Sequence, residues 1–406
     1  MTIDFDTEFF IQNRQRLRTL FAGTAPIVLT ANGIMQRNSD VAYPFRQDSN
    51  FWYLTGIDDP DILLVMDKDK DYLIIPDRDD VMQRFEGEYD IAKLSQKSGI
   101  STIVTEKAGW KQLSAGLRKV QHIATLVAPQ PYIQNHSIYT NPARARLQER
   151  LKETKAGIEF IDLRQHLTQQ RAIKQPQELQ AIQTAIDLTS GAIQYVQQKR
   201  DSYKYEYEIE ADISSVFKKA GSDHAFSPIV ASGASACTIH HVANSNPIDP
   251  KGLLVLDIGA EISNYAADIT RTIAVGAPTN RQQAIFGAVL DVQKYALGEL
   301  KPGVLMKEYE NKIEHYMGEK LRELGLITII ETSAVRKYYP HATSHFLGLD
   351  THDVGEYDRP LSAGMVVTCE PGIYIPEEGI GIRIEDDILI TEAGNQNLSK
   401  ALSVQL

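Results

Sequence analysis

Apolar residues follow two rhythms along this chain. Between Thr7 and Phe21 they recur at helical spacing among charged residues, which predicts a helix. Short apolar runs follow at Ile27–Thr30, Ile62–Met66, Tyr72–Ile75, Ile103–Val104, Ala124–Val127 and Ile158–Ile161, each of strand length and set between polar or helical stretches. This alternation predicts a small α/β domain over residues 1–165. The segment RAIKQPQELQAIQTAIDLTSGAIQYV opens a second unit. Pro176 suits the first turn of a helix, where its missing N–H costs nothing, and Leu179, Ile182, Ile186 and Ala192 recur along one face. Further helices are predicted at Glu206–Lys219, Arg281–Leu300 and Met306–Leu324, and the C-terminal stretches MVVTCEPGIYI and GIGIRIEDDILIT read as strands. The boundary falls near residues 165–175, which leaves 171–406 as a mixed helix-and-strand (α+β) unit.

At 406 residues the chain exceeds what one ordinary core supports, in line with two or three domains. A composition of 43% hydrophobic and 23% charged residues is that of a folded globular protein. The formal charge of -11 repels phosphate backbones, so no nucleic acid partner is expected. Cys237 and Cys369 are the only cysteines, too few for a disulfide framework or a thiolate zinc site. The opening MTIDFDTEFF has no basic segment followed by an apolar run, and no stretch of about 18 apolar residues occurs. Neither a secretory signal nor a membrane partner is expected, and the expected location is cytoplasmic.

Candidate chemistry concentrates in the second unit. In LLVLDIGAEISNYAADITRT the apolar run Leu253–Leu256 ends in Asp257, a polar turn follows, and a second strand is predicted to run through Asp268. A hairpin would set the two carboxylates side by side. A carboxylate ending an apolar strand is costly unless paired, hydrogen-bonded or metal-bound, and two together repel. Either Asp alone is open to a plainer reading, as a turn acceptor or a partner of Arg271. The pattern recurs, however: Glu370 interrupts VVTCEPGIYI and Glu385 interrupts GIGIRIEDDILIT. Seven of the ten histidines lie between His224 and His352, and PHATSHFLGLDTHDVG brings His341, His345 and His352 close in sequence. Four such acids with clustered imidazoles point to a metal site with acid–base helpers. Four carboxylates and one imidazole, without thiolate, favour manganese, magnesium or iron(II), with cobalt and zinc as alternatives. The negative charge exceeds what one divalent ion needs. Two ions sharing carboxylates are therefore expected, and such a pair holds a bridging hydroxide and polarises a carbonyl.

The segments RAIKQPQEL, DIGAEISNYAADITRT, SHFLGLDTHDVG, VVTCEPGIYI and GIGIRIEDD, in that order, resemble the aminopeptidase P/prolidase group of metallopeptidases. AYPFRQDSNFWYLTG resembles the non-catalytic first domain of aminopeptidase P in particular. The resemblance covers nearly the whole chain. It implies a pita-bread catalytic domain over 171–406 behind the small first domain. It also implies hydrolysis of the bond between an N-terminal residue and a penultimate proline, by a hydroxide bridging two divalent ions. Manganese is the foremost candidate, with cobalt, zinc and iron(II) as alternatives. By the same resemblance Asp257 chelates one ion, Asp268 and Glu385 bridge, and His345 and Glu370 bind the other, Glu370 also acting as general base. His240 matches a histidine near the substrate carbonyl and amine, His352 one that holds the scissile carbonyl, and His341 a further pocket histidine. Arg383 and Tyr374 match positions that shape or hydrogen-bond the site, and His241 is expected to be a bystander. The leaving nitrogen is a tertiary amide without N–H, so specificity would come from a pocket shaped for the pyrrolidine ring.

Three positions depart from the family pattern. Relatives often carry a tryptophan before a glycine in the first domain; here the segment reads RFEGEY, and Phe85 is nearest that position. The loop EYDRPLSAG after His352 is short, which leaves Arg359 as the match to a pocket arginine. Asp40 in NSDVAYPF matches an acid that relatives supply across a subunit boundary, or is a turn-capping aspartate. A homodimer or homotetramer is expected, since the first domain contributes to assembly in relatives. Two alternatives stay open: a prolidase confined to Xaa-Pro dipeptides, and a catalytically silent peptide-binding module of the same fold. The first-domain motif argues against the former and five intact ligand positions against the latter.

Overall fold

The computed structural model describes residues 3–68, 70–129 and 138–406. The chain divides into two compact units, Phe5–Gln170 and Arg171–Leu406, and Ile3 and Asp4 belong to the second. Ile3 N–H donates to Ser263 Oγ at 3.1 Å, and that hydroxyl donates back to Ile3 C=O at 2.8 Å.

The first unit is built on a six-stranded sheet in the order Thr102–Thr105, Lys70–Ile75, Leu63–Asp67, Ile27–Thr30, His122–Thr125, Glu159–Asp162. Leu63–Asp67 runs antiparallel to both neighbours, and the other adjacent pairs are parallel. The Ile27–Thr30 strand is buried throughout, as a strand covered on both faces must be. Trp110 and Leu113 from the helix Glu106–Leu117, and Leu147 and Leu151 from Ala143–Thr154, pack with Val28, Val65 and Ile74 of the sheet. The helix Thr7–Phe21 starts where Asp6 accepts the Phe9 N–H at 2.8 Å and stops at Ala22 in the left-handed region.

In the second unit the long helices are Pro176–Lys199, Glu206–Lys219, Asn280–Glu299 and Met306–Glu323. The first of these opens with a capping box, in which the Glu178 carboxylate accepts the Gln175 N–H at 2.9 Å, and Pro176 sits in its first turn. Ile182, Ile186 and Ala192 are buried along it, while Leu179 is half-buried. Leu253–Ile258 is the central strand of a sheet, antiparallel to both Ile229–Ser232 and Ile269–Ala274. A second sheet pairs Val366–Cys369 with Asp386–Thr391 and the latter with Gly394–Asn397, and Gly372–Ile375 forms a hairpin with Ile380–Arg383. Ile285, Val289, Tyr309 and Ile313 share one buried cluster with Cys369, Ile373, Ile382 and Ile388. No helix among the described residues is long and apolar enough to cross a membrane.

The link between Leu253–Ile258 and Ile269–Ala274 is not the simple turn that the sequence predicts. A second tight hairpin, Ala260–Ile262 with Tyr265–Ala266, is inserted there. Its two turn residues, Ser263 and Asn264, have φ of 49° and 67°, the paired positive values of a type I′ turn. Gly259 lets the chain enter this excursion: a Cβ there would come within 1.8 Å of the Ala267 carbonyl oxygen.

Candidate metal centre

Strand register and strand breaks bring the acids together. Asp257 lies within its strand, opposite Thr270. Asp268 lies just ahead of the Ile269–Ala274 strand, which corrects the expectation that a strand runs through it. Glu370 directly follows Val366–Cys369, and Glu385 directly precedes Asp386–Thr391. Three of the four acids therefore stand at interruptions of pairing, where the backbone can redirect a side chain. Cross-links fix those interruptions: Glu385 N–H donates to Thr270 C=O at 3.1 Å, and Glu370 N–H to Thr343 C=O at 2.8 Å.

Asp268, His345 and Glu385 each offer a ligand atom, all within 4.8 Å of one another. Burial holds the carboxyls of Asp268, Glu370 and Glu385 well above the ordinary range. Neighbouring acids add to this: Asp257 beside Asp268, Glu385 beside Glu370, and Asp268 beside Glu385. Arg383 answers part of the charge. Its Nη2 donates to Asp257 Oδ2, its Nη1 to Tyr374 Oη at 2.7 Å, and its Nε to Thr270 Oγ1 at 3.1 Å. Thr270 Oγ1 in turn donates to Glu385 Oε2 at 2.6 Å. Arg271 pairs instead with Asp386 at 2.7 Å, so the plainer reading of Arg271 as partner to Asp257 or Asp268 is set aside.

The histidines complete the arrangement. His345 Nδ1 lies 3.0 Å from the Phe346 carbonyl, which can only accept, so Nδ1 carries a proton and Nε2 is the ring atom turned toward the acids. Nε2 lies 3.4 Å from Asp268 Oδ2 and 3.6 Å from Glu370 Oε1. Carboxyl oxygens and a ring nitrogen converging in this way form the donor set of a cation site, where a divalent ion would take the place of the protons that burial keeps on the carboxyls. Asp257 Oδ1 makes the same point, being buried with no hydrogen-bond partner among the described residues. An oxygen-rich donor set with one imidazole fits the divalent ions that the resemblance implies. His341 donates from Nδ1 to Ala342 C=O at 2.8 Å and accepts at Nε2 from the Tyr374 hydroxyl at 2.8 Å. Burial, with Arg383 adding, holds this imidazole down to about 3. The His352 ring lies 4.2 Å from that of His345, and partial burial, with His345 and His240 adding, holds it down to about 4. His240 is exposed on the turn after Gly233–Cys237.

His241 and Arg359 have partners other than these acids, and Asp40 and Phe85 belong to the first unit. His241 bonds the buried Glu206 at 2.8 Å, and Glu206 also accepts the N–H groups of Ser232 and Asn246, so His241 anchors the fold. Arg359 is exposed and paired with Glu356 at 3.2 Å. In the first unit, Asp40 is exposed in the turn between Gln36–Asn38 and Val41–Ala42, and Phe85 is 82% exposed near the end of the helix Asp80–Glu86. Sequence reasoning missed several residues of the centre. Asp387 accepts the Asp268 N–H at 3.1 Å, and its Oδ1 is buried without a partner among the described residues. Glu310 accepts the N–H groups of Thr343 at 2.9 Å and Ser344 at 3.1 Å, and Thr368 Oγ1 accepts the His345 N–H at 3.1 Å. Asp387 carries a signal, as an acid directly ahead of the apolar run Ile388–Ile390; Thr270, one of three successive polar residues in its strand, and Glu310, on a helix face with other charges, carry none.

Residues 180–392 match the model of metallopeptidase family M24, and residues 10–123 match that of the aminopeptidase P N-terminal domain. A Xaa-Pro aminopeptidase of Haemophilus influenzae is 33% identical over 98% of this chain and 95% of its own. A Xaa-Pro dipeptidase of Pyrococcus horikoshii is 36% identical, over 62% of this chain and 69% of its own. Among solved structures, aminopeptidase P from Escherichia coli with the inhibitor Pro-Leu superposes with a TM-score of 0.86 at 28% identity, covering 99% of this chain and 97% of that one. The pita-bread architecture that the resemblance implies is borne out by this likeness. With both domain models matched in order and relatives aligned end to end, the chain belongs to metallopeptidase family M24, in its aminopeptidase P group.

Proposed function

We propose that this chain is a dinuclear metalloaminopeptidase that removes the N-terminal residue from peptides with proline in second position. The observation that carries the proposal is the convergence of His345 Nε2 with Asp268 and Glu370 carboxyl oxygens beside the unpartnered Asp257 Oδ1. Similarity to a Xaa-Pro aminopeptidase along nearly the whole chain favours that activity over one confined to dipeptides.

Asp257, Asp268, His345, Glu370 and Glu385 would hold two divalent ions, with manganese foremost on ligand type. When bound, such a pair supplies Lewis acidity at the scissile carbonyl and makes water nucleophilic near neutral pH. Glu370 takes the proton of the attacking water and delivers it to the prolyl nitrogen, which has no N–H of its own and must be protonated to leave. His352, neutral at physiological pH, donates its N–H to the developing oxyanion. His240 faces the substrate carbonyl and amine. His341 is oriented by Tyr374, and Tyr374 by Arg383, so pocket geometry is tied to the grip on Asp257. On sequence match, Arg359 is a pocket arginine, Asp40 an acid supplied across a subunit boundary, and Phe85, with an aromatic face open to solvent, the cover for a proline ring. We propose further that 1–165 is a non-catalytic and 171–406 a catalytic domain, in a homodimer or homotetramer. Its compartment is the cytoplasm, where the free thiols Cys237 and Cys369 stay reduced.

The test is hydrolysis of Xaa-Pro-Xaa tripeptides and Xaa-Pro dipeptides by metal-stripped protein, with and without manganese. Manganese-dependent tripeptide cleavage that disappears in Glu370→Ala is the expected result. Cleavage of dipeptides alone would move the assignment to a dipeptidase, and absence of both cleavage and bound metal to a binding module.

A further inference from the structure

The motif RAIKQPQEL opens the second unit, yet Arg171 and Lys174 have no role in the chemistry described above. Both side chains are buried, 2% and 1% exposed, and they converge on the carboxylate of Asp353, itself 1% exposed. Lys174 Nζ donates to Asp353 Oδ2 at 2.8 Å and to Arg171 C=O at 2.9 Å. Arg171 donates to Asp353 Oδ1 and to Asp350 Oδ2, the latter at 2.8 Å.

The segment from Phe346 to Asp353 folds around these two cations. Asp353 N–H closes it by donating to Phe346 C=O at 2.8 Å. Gly348 lies so near the cluster that a Cβ would come within 2.2 Å of Asp353 Oδ2 and 2.8 Å of Lys174 Nζ. Closure sets two residues side by side: His345 immediately precedes the loop, His352 is its last residue but one, and their ring centres lie 4.2 Å apart. The carbonyl on which Asp353 closes is also the one that receives the His345 Nδ1–H at 3.0 Å. A single carbonyl thus sets the tautomer of His345 and the return of the chain that carries His352. Buried ion clusters stabilise a fold little better than well-packed apolar residues, but they can impose one geometry.

We infer that Asp353, held by Lys174 and Arg171, is a positioning residue for the His345–His352 pair. The two buried cations template the loop so that His345 Nε2 and the His352 ring reach the centre together. What the pair then does rests on the function proposed above; how it is held rests on geometry alone.

Asp353→Asn keeps the shape of the side chain and removes its charge. Lys174→Met leaves the Arg171–Asp353 contact in place and serves if Asp353→Asn does not fold. Each variant is made in the full chain. Kinetics on a Xaa-Pro-Xaa tripeptide with manganese are paired with imidazole ¹⁵N spectra of the metal-free protein, assigned with His345→Gln and His352→Gln. We expect kcat to fall by about tenfold or more with KM within about twofold of the unmodified chain, together with displaced His345 and His352 resonances. A variant that melts earlier but, while folded, keeps both the original kcat and the original resonances would reduce the cluster to a scaffold and overturn the inference. The spectra need no turnover. If the unmodified chain cleaves no Xaa-Pro peptide, the proposed function falls, while displaced resonances still uphold the positioning role and unchanged ones remove it.

Discussion

Arg383 does what an ammonium in its place could not. Its planar fork reaches Asp257, Tyr374 and Thr270 at once, through three different nitrogens. A lysine offers a single point charge and could keep one of these partners well. Arg383→Lys should therefore retain the charge that offsets the acids but lose about two hydrogen bonds involving a charged group. At roughly 1.5 kcal/mol each this predicts a fall of about 100-fold in kcat/KM. Tyr374→Phe removes only the hydroxyl that links Arg383 to His341 and should cost about tenfold. Steady-state kinetics at fixed manganese separates the two. Equal losses would mean that Arg383 acts through the Tyr374–His341 link and that its grip on Asp257 adds nothing.

At the scale of elements, the excursion between Leu253–Ile258 and Ile269–Ala274 decides where Asp268 stands. It depends on Gly259, where an added methyl would run into backbone rather than a yielding side chain. Gly259→Ala should destabilise the chain by roughly 3 kcal/mol or more, read by urea unfolding of metal-free protein. Gly191 is the contrast: it is exposed within the helix Pro176–Lys199, and a Cβ there meets nothing within 4 Å. Gly191→Ala should stabilise by about 0.5–1 kcal/mol through helix propensity. The same excursion marks the limit of what the sequence makes legible. Periodic segments are plain: the helices Thr7–Phe21 and Glu206–Lys219 and the strand Ile27–Thr30 have the bounds that their apolar pattern predicts. The four acids and His345 stand out because each polar residue breaks or borders an apolar run. The type I′ turn at Ser263–Asn264 has no glycine to announce it, so Asp268 reads as a strand residue. Thr270 acquires a role only when Glu385, 115 positions away, pairs against it, and no local pattern encodes such a partner.

Across the whole molecule two proton linkages pull in opposite directions. His341 and His352 are held at about 3 and about 4, below the 6.5 of a free imidazole. Over that interval the unfolded chain binds more protons, so their contribution is present above about pH 6.5 and is lost as pH falls. Asp268, Glu370 and Glu385 are displaced the other way. There the folded chain holds the extra protons, so without metal their contribution is lost as pH rises out of the ordinary carboxylate range. Divalent ions answer only the second strain, because they replace the protons on the carboxyls and leave burial of the imidazoles unchanged. The rise in melting temperature on adding manganese should therefore grow from about pH 5 to about pH 8, while the fall in stability below about pH 6 persists with or without metal. Differential scanning calorimetry across that range, on metal-free and manganese-loaded protein, measures both limbs. In Asp268→Asn the manganese-dependent rise should largely vanish, and the metal-free protein should lose less stability at alkaline pH, since one of the mutually repelling carboxylates is gone. A manganese-dependent rise that does not change with pH, or that survives Asp268→Asn intact, would mean that the ions bind elsewhere and that the buried acids are held together by other means.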